Sequence, residues 1–347
     1  MKKRITIIAA LLIFLLVFWF FKIAEKQKSC KTLAVMTYNA QCFFDSVYNG
    51  CEFAEFGAKS KYWNDARYIG RLENLAAVIT RHAADVLFLQ EIENSRVIED
   101  LFNFLPVSTP YKFACFAKEE NGAFGCAVLS KYPIKSMQTH QFSFSKNGKI
   151  DRTSMRPLLQ VQIAHPKTEL VVFAVHWKSK KGSDAESDFL RYGQESVLAS
   201  QIEKFMAQYE NAPENLPLVL VAGDCNRSIE EFESGTQQNQ VGLHGKNRII
   251  EMVSPWLISD NSSAAPDTAG FANLAAPGSY CYQGQWSKID NIFMVDSGNT
   301  GGNAFFSGFS VIADDGMLDQ TGAPKRYFAF KGEGFSDHLP IWAEITF

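Results

Sequence analysis

Leu218-Val-Leu-Val-Ala-Gly-Asp-Cys-Asn226 is the stretch on which the reading of this chain turns. Its unbroken apolar run has the length and composition of a strand buried on both faces, and it passes straight into an acid and an amide. A polar group at such a strand end costs roughly 2–7 kcal/mol if buried without a partner. The same figure recurs along the chain. Asn39 ends Met36-Thr-Tyr-Asn39, Glu91 ends Leu87-Phe-Leu-Gln-Glu91, and His176 follows Val171-Val-Phe-Ala-Val175. Asp290 lies inside Lys288-Ile-Asp-Asn-Ile-Phe-Met294, and Asp337 and His338 stand just before a final apolar run. Asp and Asn end strands for ordinary reasons of turn formation, so one such residue says little. Eight of them, with Asn226, point to convergence on one site.

Around these residues the chain alternates between buried strands and amphipathic helices. Strand-length runs fall at Leu33–Tyr38, Val86–Leu89, Cys126–Leu129, Leu158–Ile163, Leu170–Val175, Pro217–Ala222, Ile289–Val295 and Leu339–Ile345. Helical spacing marks Tyr68–Ala84 and Ser187–Tyr209. No glycine-rich phosphate loop follows the first strand and no repeat is present, which favours a layered α/β sandwich over a doubly wound parallel sheet. Ile229–Gly284 and Asp296–Gly334 read as long irregular insertions.

Asn39, Gln90-Glu91, His176, Gly223-Asp-Cys-Asn226, Ile289-Asp290 and Ser336-Asp-His338, in that order, resemble the endonuclease/exonuclease/phosphatase superfamily from Leu33 to Phe347. Ala84-Asp-Val-Leu-Phe-Leu-Gln-Glu91 and Gly125-Cys-Ala-Val-Leu-Ser-Lys-Tyr-Pro-Ile134 support the likeness. The resemblance implies a four-layer α/β sandwich, two central mixed sheets flanked by helices, over residues 30–347. It also implies hydrolysis of a phosphate ester with Mg²⁺ or Mn²⁺, for which oxygen ligands are the suitable type. Glu91 would be the principal metal ligand, with Asn39 and Asp337 shaping the site. Asp224 would orient or deprotonate the attacking water, and Asn226 would hold a phosphoryl oxygen. His338, steadied by Asp290, would donate to the phosphate as charge develops. His176 would be an acid for the leaving oxygen or a phosphate clamp, and Arg156, with Arg152 as its rival, a phosphate-binding arginine. Departures are visible as well. The first motif reads Asn39-Ala-Gln41 where many relatives carry a carboxylate or a second Asn, so Gln41 is at most a weak ligand. Val175 precedes the histidine where many have Asn, and Cys225 reads as packing.

His176-Trp-Lys-Ser-Lys-Lys-Gly182 resembles a stretch of secreted bacterial nucleases, and Lys178 and Lys180 could meet flanking phosphates of a polyanion. Pro324-Lys-Arg-Tyr-Phe328 adds a second basic and aromatic edge. Nucleic acid, DNA or RNA, is therefore the expected partner, and nothing implies a protein partner. A phospholipid or sphingomyelin head group is the competing substrate, with Asn303-Ala-Phe-Phe-Ser307 as a small candidate for the apolar hairpin that reading needs. A degenerate family member serving as a binding module is the third.

Composition agrees with an enzyme rather than a nucleic-acid coat. The chain has 347 residues, 46% hydrophobic, and a net charge of -3, distributed unevenly. Residues 1–29 carry six bases and one acid, and the other 318 residues carry 28 bases and 36 acids. Between Arg4 and Lys22 lies an uncharged run of 17 residues, Ile5 to Phe21, long for a signal peptide and just long enough for a bilayer. Residues 1–29 thus read as a membrane anchor, or else a cleaved signal, with the large domain expected outside the cytoplasm. Seven cysteines could pair at Cys42/Cys51 and Cys115/Cys126 or remain reduced, and none has zinc spacing.

Overall fold

The computed structural model describes residues 32–142, 144–146, 149–151, 155–181, 184–234, 241–243, 250–260, 274–296 and 304–347. The segment 1–29, Cys30 and Arg152 lie outside the described residues, so the anchor and the rival arginine are not addressed by it. Among the described residues no helix is long and apolar enough to cross a membrane.

The unalternating apolar runs become the inner strands of two mixed sheets. One has the order β16 (Phe305–Val311), β17 (Ile341–Thr346), β1 (Thr32–Phe43), β2 (Val86–Ile92), β4 (Gly125–Ser130), β3 (Phe113–Lys118). The other has the order β11 (Val241–Leu243), β12 (Ile250–Val253), β15 (Asp290–Val295), β10 (Leu218–Asp224), β9 (Glu169–His176), β8 (Leu158–Ala164), β5 (Ile134–His140). Two small hairpins stand apart, β6 (Phe144–Lys146) with β7 (Lys149–Asp151) and β13 (Tyr280–Tyr282) with β14 (Gln285–Ser287). The sheets meet through β1 and β2 on β10, β15 and β9, and Phe88, Phe173 and Phe293 are fully buried in the shared core. Helices α1 (Asp65–Arg81) and α2 (Ser95–Phe104) pack on each other and on the first sheet, while α3 (Asp184–Met206) packs on the second. Short helices α4 (Ile229–Ser234) and α5 (Pro255–Asp260) complete the described set. These are the sheets and flanking helices expected from the sequence.

The two supposed insertions are corrected. Among the described residues, Ile229–Gly284 carries α4, α5, β13 and the strands β11 and β12, which extend the second sheet, and Asp296–Gly334 carries β16, the edge of the first. Phe305 and Phe306 belong to that edge strand, with Phe306 buried, so they do not form an apolar hairpin. Strands β3 and β5 escaped the sequence reading because they are edge strands whose exposed faces break up the apolar run. Helix α1 begins at Asp65, earlier than periodicity suggests, because Asn64 caps it by accepting from the Arg67 N–H. The six described cysteines are free thiols, so neither proposed pair is bonded.

Strands β9 and β10 run parallel at unusually close approach. A Cβ on Gly223, whose φ is +141°, would lie 1.9 Å from the Val175 carbonyl oxygen. Gly223→Ala is expected to destabilise the domain by ~2–4 kcal/mol in urea denaturation. His165, just beyond β8, is buried edge-on to Tyr132, and its Nδ1 accepts from the Lys167 N–H. Burial, assisted by Lys131 and Lys167, pushes this imidazole down to about 4. Its folded value lies below the unfolded one near 6.5, so the stability it contributes is complete above pH 6.5 and is lost as pH falls toward 4. The urea midpoint is expected to drop between pH 7 and pH 5, and His165→Gln should flatten that slope.

Candidate active site

Topology alone brings the polar strand ends together. Because β1 and β2 are parallel, Asn39 pairs with Gln90 beside Glu91, and because β9 and β10 are parallel, Asp224 pairs with His176. Antiparallel β15 starts where β10 ends, placing Asp290 opposite Asp224, and Ser336-Asp-His338 arrives from the segment before β17. The Ser336 hydroxyl fixes that segment by donating to the Asn39 carbonyl at 2.6 Å.

Asn39 joins the two sheets. Its Nδ2 donates to Asp224 Oδ2 at 3.0 Å and to Glu91 Oε1 at 3.3 Å, and its Oδ1 accepts from the Gln41 N–H at 3.0 Å. Glu91 is held again from the other side, where its Oε2 accepts from the Cys42 N–H at 2.6 Å. Those two N–H groups point inward because Gln41 and Cys42 sit at φ 50° and 47°, a left-handed bulge in β1, opposite Glu91 itself at 61°. Buried Arg71 secures the bulge. It donates to the carbonyls of Ala40, Gln41 and Cys42 at 2.8, 2.6 and 2.9 Å, and lies over the Phe43 and Tyr327 rings. The Gln41 amide, not free to ligate, accepts from the Tyr327 N–H at 2.7 Å and donates to its carbonyl at 3.3 Å. Nothing in a single sequence marks Arg71 or Tyr327, because both act across long separations on backbone atoms.

On the opposite wall, Asp290 Oδ2 accepts from the Ser279 hydroxyl at 2.6 Å and is paired with His338 Nδ1 at 2.7 Å. The other imidazole nitrogen, Nε2, is 3.9 Å from Asp224 Oδ2. Burial opposes charge on His338, but Asp290 above all, with Asp224 and Asp337, overrides it and raises the group to about 10. Asp224, 2% exposed, is pushed up to about 7 by burial and Asp290 against the pull of His338. Asn226, at φ 47°, braces it by donating its N–H to Oδ1 at 2.9 Å and its Nδ2 to Oδ2 at 3.1 Å. His176 Nε2 lies 3.6 Å from Asp224 Oδ2 and 3.7 Å from Glu91 Oε1. Burial, with Arg156 and His338, pushes its value far down and keeps it neutral.

The residues present suit a hard divalent cation. Glu91 and Asp337 have no Lys or Arg salt bridge among the described residues, and burial, with repulsion from Glu91 and against the pull of His338 and Arg326, raises Asp337. Neighbouring carboxylate oxygens of this kind are the donors that Mg²⁺ or Mn²⁺ would bind. A buried triplet of possible ligand atoms also exists at Asp224, Asp290 and His338, but there the imidazole already supplies the positive charge. Arg156 donates to the Trp177 carbonyl at 3.3 Å and, with Lys178, lines a cavity of about 390 Å³ on the His176 side. Lys180 is directed elsewhere, paired with Glu231 at 2.7 Å.

Solved proteins of different kinds share this architecture. Similar solved structures include a truncated TDP2 from Caenorhabditis elegans, at 15% identity and a TM-score of 0.54 over 91% of this chain and 98% of that one. TDP2 from D. rerio, crystallised with a single-strand DNA product, gives 16% and 0.55 over 91% and 99%. The Bacteroides thetaiotaomicron mannosyl-6-phosphatase Bt3783 gives 17% and 0.54 over 91% and 100%. No curated protein sequence matches. The profile of the endonuclease/exonuclease/phosphatase family matches residues 34–346, and this chain belongs to that family of hydrolases.

Proposed function

We propose that this protein is a divalent-metal-dependent nuclease that hydrolyses phosphodiester bonds of DNA or RNA. The observation that carries the reading is the buried Asp224–His338–Asp290 cluster, with the Glu91 and Asp337 carboxylates beside it. Glu91 and Asp337 would hold Mg²⁺ or Mn²⁺, with Asn39 fixing the Glu91 carboxylate. When bound, the ion would supply positive charge to the phosphoryl oxygens as the transition state forms. Asp224, braced by Asn39 and Asn226, accepts a proton from the attacking water as the new O–P bond forms and the ester P–O bond breaks. His338, held charged by Asp290, donates a hydrogen bond from Nε2 to the phosphoryl oxygen that gains charge. Neutral His176 is suited to clamp the phosphate rather than to act as an acid, and the leaving oxygen takes its proton from solvent. Arg156 and Lys178, beside the His176 strand end, favour a polyanionic strand. The D. rerio relative crystallised with a DNA product supports a nucleic-acid substrate, while the mannosyl-6-phosphatase keeps sugar phosphates in the comparison. Segment 1–29 would export or anchor the domain outside the cytoplasm.

An activity panel of DNA, RNA, sphingomyelin vesicles and sugar phosphates, each with Mg²⁺ or Mn²⁺ and with EDTA, tests the substrate. Nucleic acid should be cut and EDTA should abolish cutting; turnover of lipid or sugar phosphate with nucleic acid left intact would sink the reading. Asp290→Asn removes the counter-charge of His338 and should lower kcat by about 10²–10⁴-fold with KM nearly constant and the circular dichroism spectrum retained.

A further inference from the structure

We infer that a second anion subsite, formed by Arg326 in a cavity that Tyr282 also lines, lies on the Asp337 side of the catalytic cluster and takes the phosphate adjacent to the scissile one on a nucleic-acid strand. It rests on the nuclease reading and states where the strand is gripped. A cavity of about 380 Å³ opens there, in whose lining the cations Lys325, Arg326 and Lys331 are joined by the acids Asp319, Glu333 and Asp337 and by Tyr280 and Tyr282. It leads directly from the reaction centre, because the Tyr280 ring packs on the His338 imidazole with centroids 4.8 Å apart, and Asp337 belongs to both.

The wall of this cavity is rigidly built. The Gln41 amide grips Tyr327 by both backbone atoms, and Arg71 lies 4.2 Å from the Tyr327 ring centre. The Lys325 N–H donates to the Met317 carbonyl at 2.7 Å, and the Phe335 N–H to the Lys325 carbonyl at 2.8 Å. At Gly334 a Cβ would fall 2.1 Å from the Arg326 carbonyl oxygen, so the two strands of the loop are pressed together. The loop bearing Arg326 is therefore fastened to the same bulge that holds Glu91, which sets the separation between Arg326 and the reacting phosphate.

Arg326 is the cation suited to the task. Its exposed guanidinium lies 5.2 Å from the Phe328 ring centre and has no carboxylate partner among the described residues, whereas Lys325 stands 4.0 Å from Glu333. Tyr282, 63% exposed, lines the same cavity. An exposed aromatic residue and an unpaired guanidinium in one cavity are suited to stack a base and bind the neighbouring phosphate of a single strand. A lone sugar phosphate has no second anion to place.

Dithymidylate, its 5′-phosphorylated form and its 3′-phosphorylated form provide the test, with bis(p-nitrophenyl) phosphate as a diester lacking any second phosphate. With the full chain and Mn²⁺, one of the two phosphorylated forms should show a KM about tenfold below that of plain dithymidylate. In Arg326→Ala that ratio should fall to about one, and Arg326→Lys should retain part of it. The ratio is internal to each variant, so partial misfolding cannot imitate the effect. An undiminished ratio in Arg326→Ala, or no ratio in the wild type, overturns the subsite. Failure of the wild type to cleave even bis(p-nitrophenyl) phosphate overturns the nuclease reading beneath it.

Discussion

One hydrogen bond ties the two halves of this molecule together, from Asn39 Nδ2 on the first sheet to Asp224 Oδ2 on the second, 3.0 Å long and buried. Asp224 has almost no access to water, so its oxygens must be satisfied by protein groups or remain protonated. Asn39 supplies one donor and Asn226 supplies two, while His338 and His176 stand just outside hydrogen-bonding range. A slip of one residue in the packing of the sheets would remove the Asn39 donor and expose a bare acid to the core. The apolar interior alone would tolerate such a slip far better than the polar edge does.

The backbone strain of the domain gathers around the same bond. Gln41, Cys42, Glu91 and Asn226 all adopt left-handed backbone angles, and each lies at a strand end that serves the site. Such conformations cost of order 1–3 kcal/mol each and persist where the surroundings impose them. Here three carbonyls bound by Arg71 impose one bulge, and hydrogen bonds to Asp224 impose the Asn226 turn. Arg71 is itself a buried cation satisfied by backbone dipoles and aromatic faces, without a carboxylate partner among the described residues. A carboxylate beside it would compete with Glu91 for the same positive charge.

Much of this could be read from the sequence because burial writes a strong signal. Leu218–Ala222 and Val171–Val175 have no polar alternation, and an Asp or His at their ends stands out against that background. What could not be read depended on partners far away along the chain. Gln41 looked like a failed ligand, yet it binds the backbone of Tyr327, a contact with no side-chain signature on the far side. Lys180 looked like a phosphate contact because it follows the His176 strand, but Glu231 lies within reach and claims it. Edge strands β3, β5 and β16 were missed for a different reason, since half-exposed segments such as Ile134–His140 carry polar residues on both faces.

The contact between Gln41 and Tyr327 also has a meaning in time. Synthesis proceeds from the N-terminal side at roughly 5–20 residues per second, so Asn39, Glu91, His176 and Asp224 all emerge well before Asp337 and His338. Until Tyr327 emerges, the Gln41 amide lacks its partner and Arg71 one of its aromatic faces, and the bulge that aims Cys42 at Glu91 is held from one side alone. A nascent chain therefore carries the early half of the site in an unfinished form, without the imidazole beside Asp290. The order of the motifs thus makes completion of the site a late event in the synthesis of the domain.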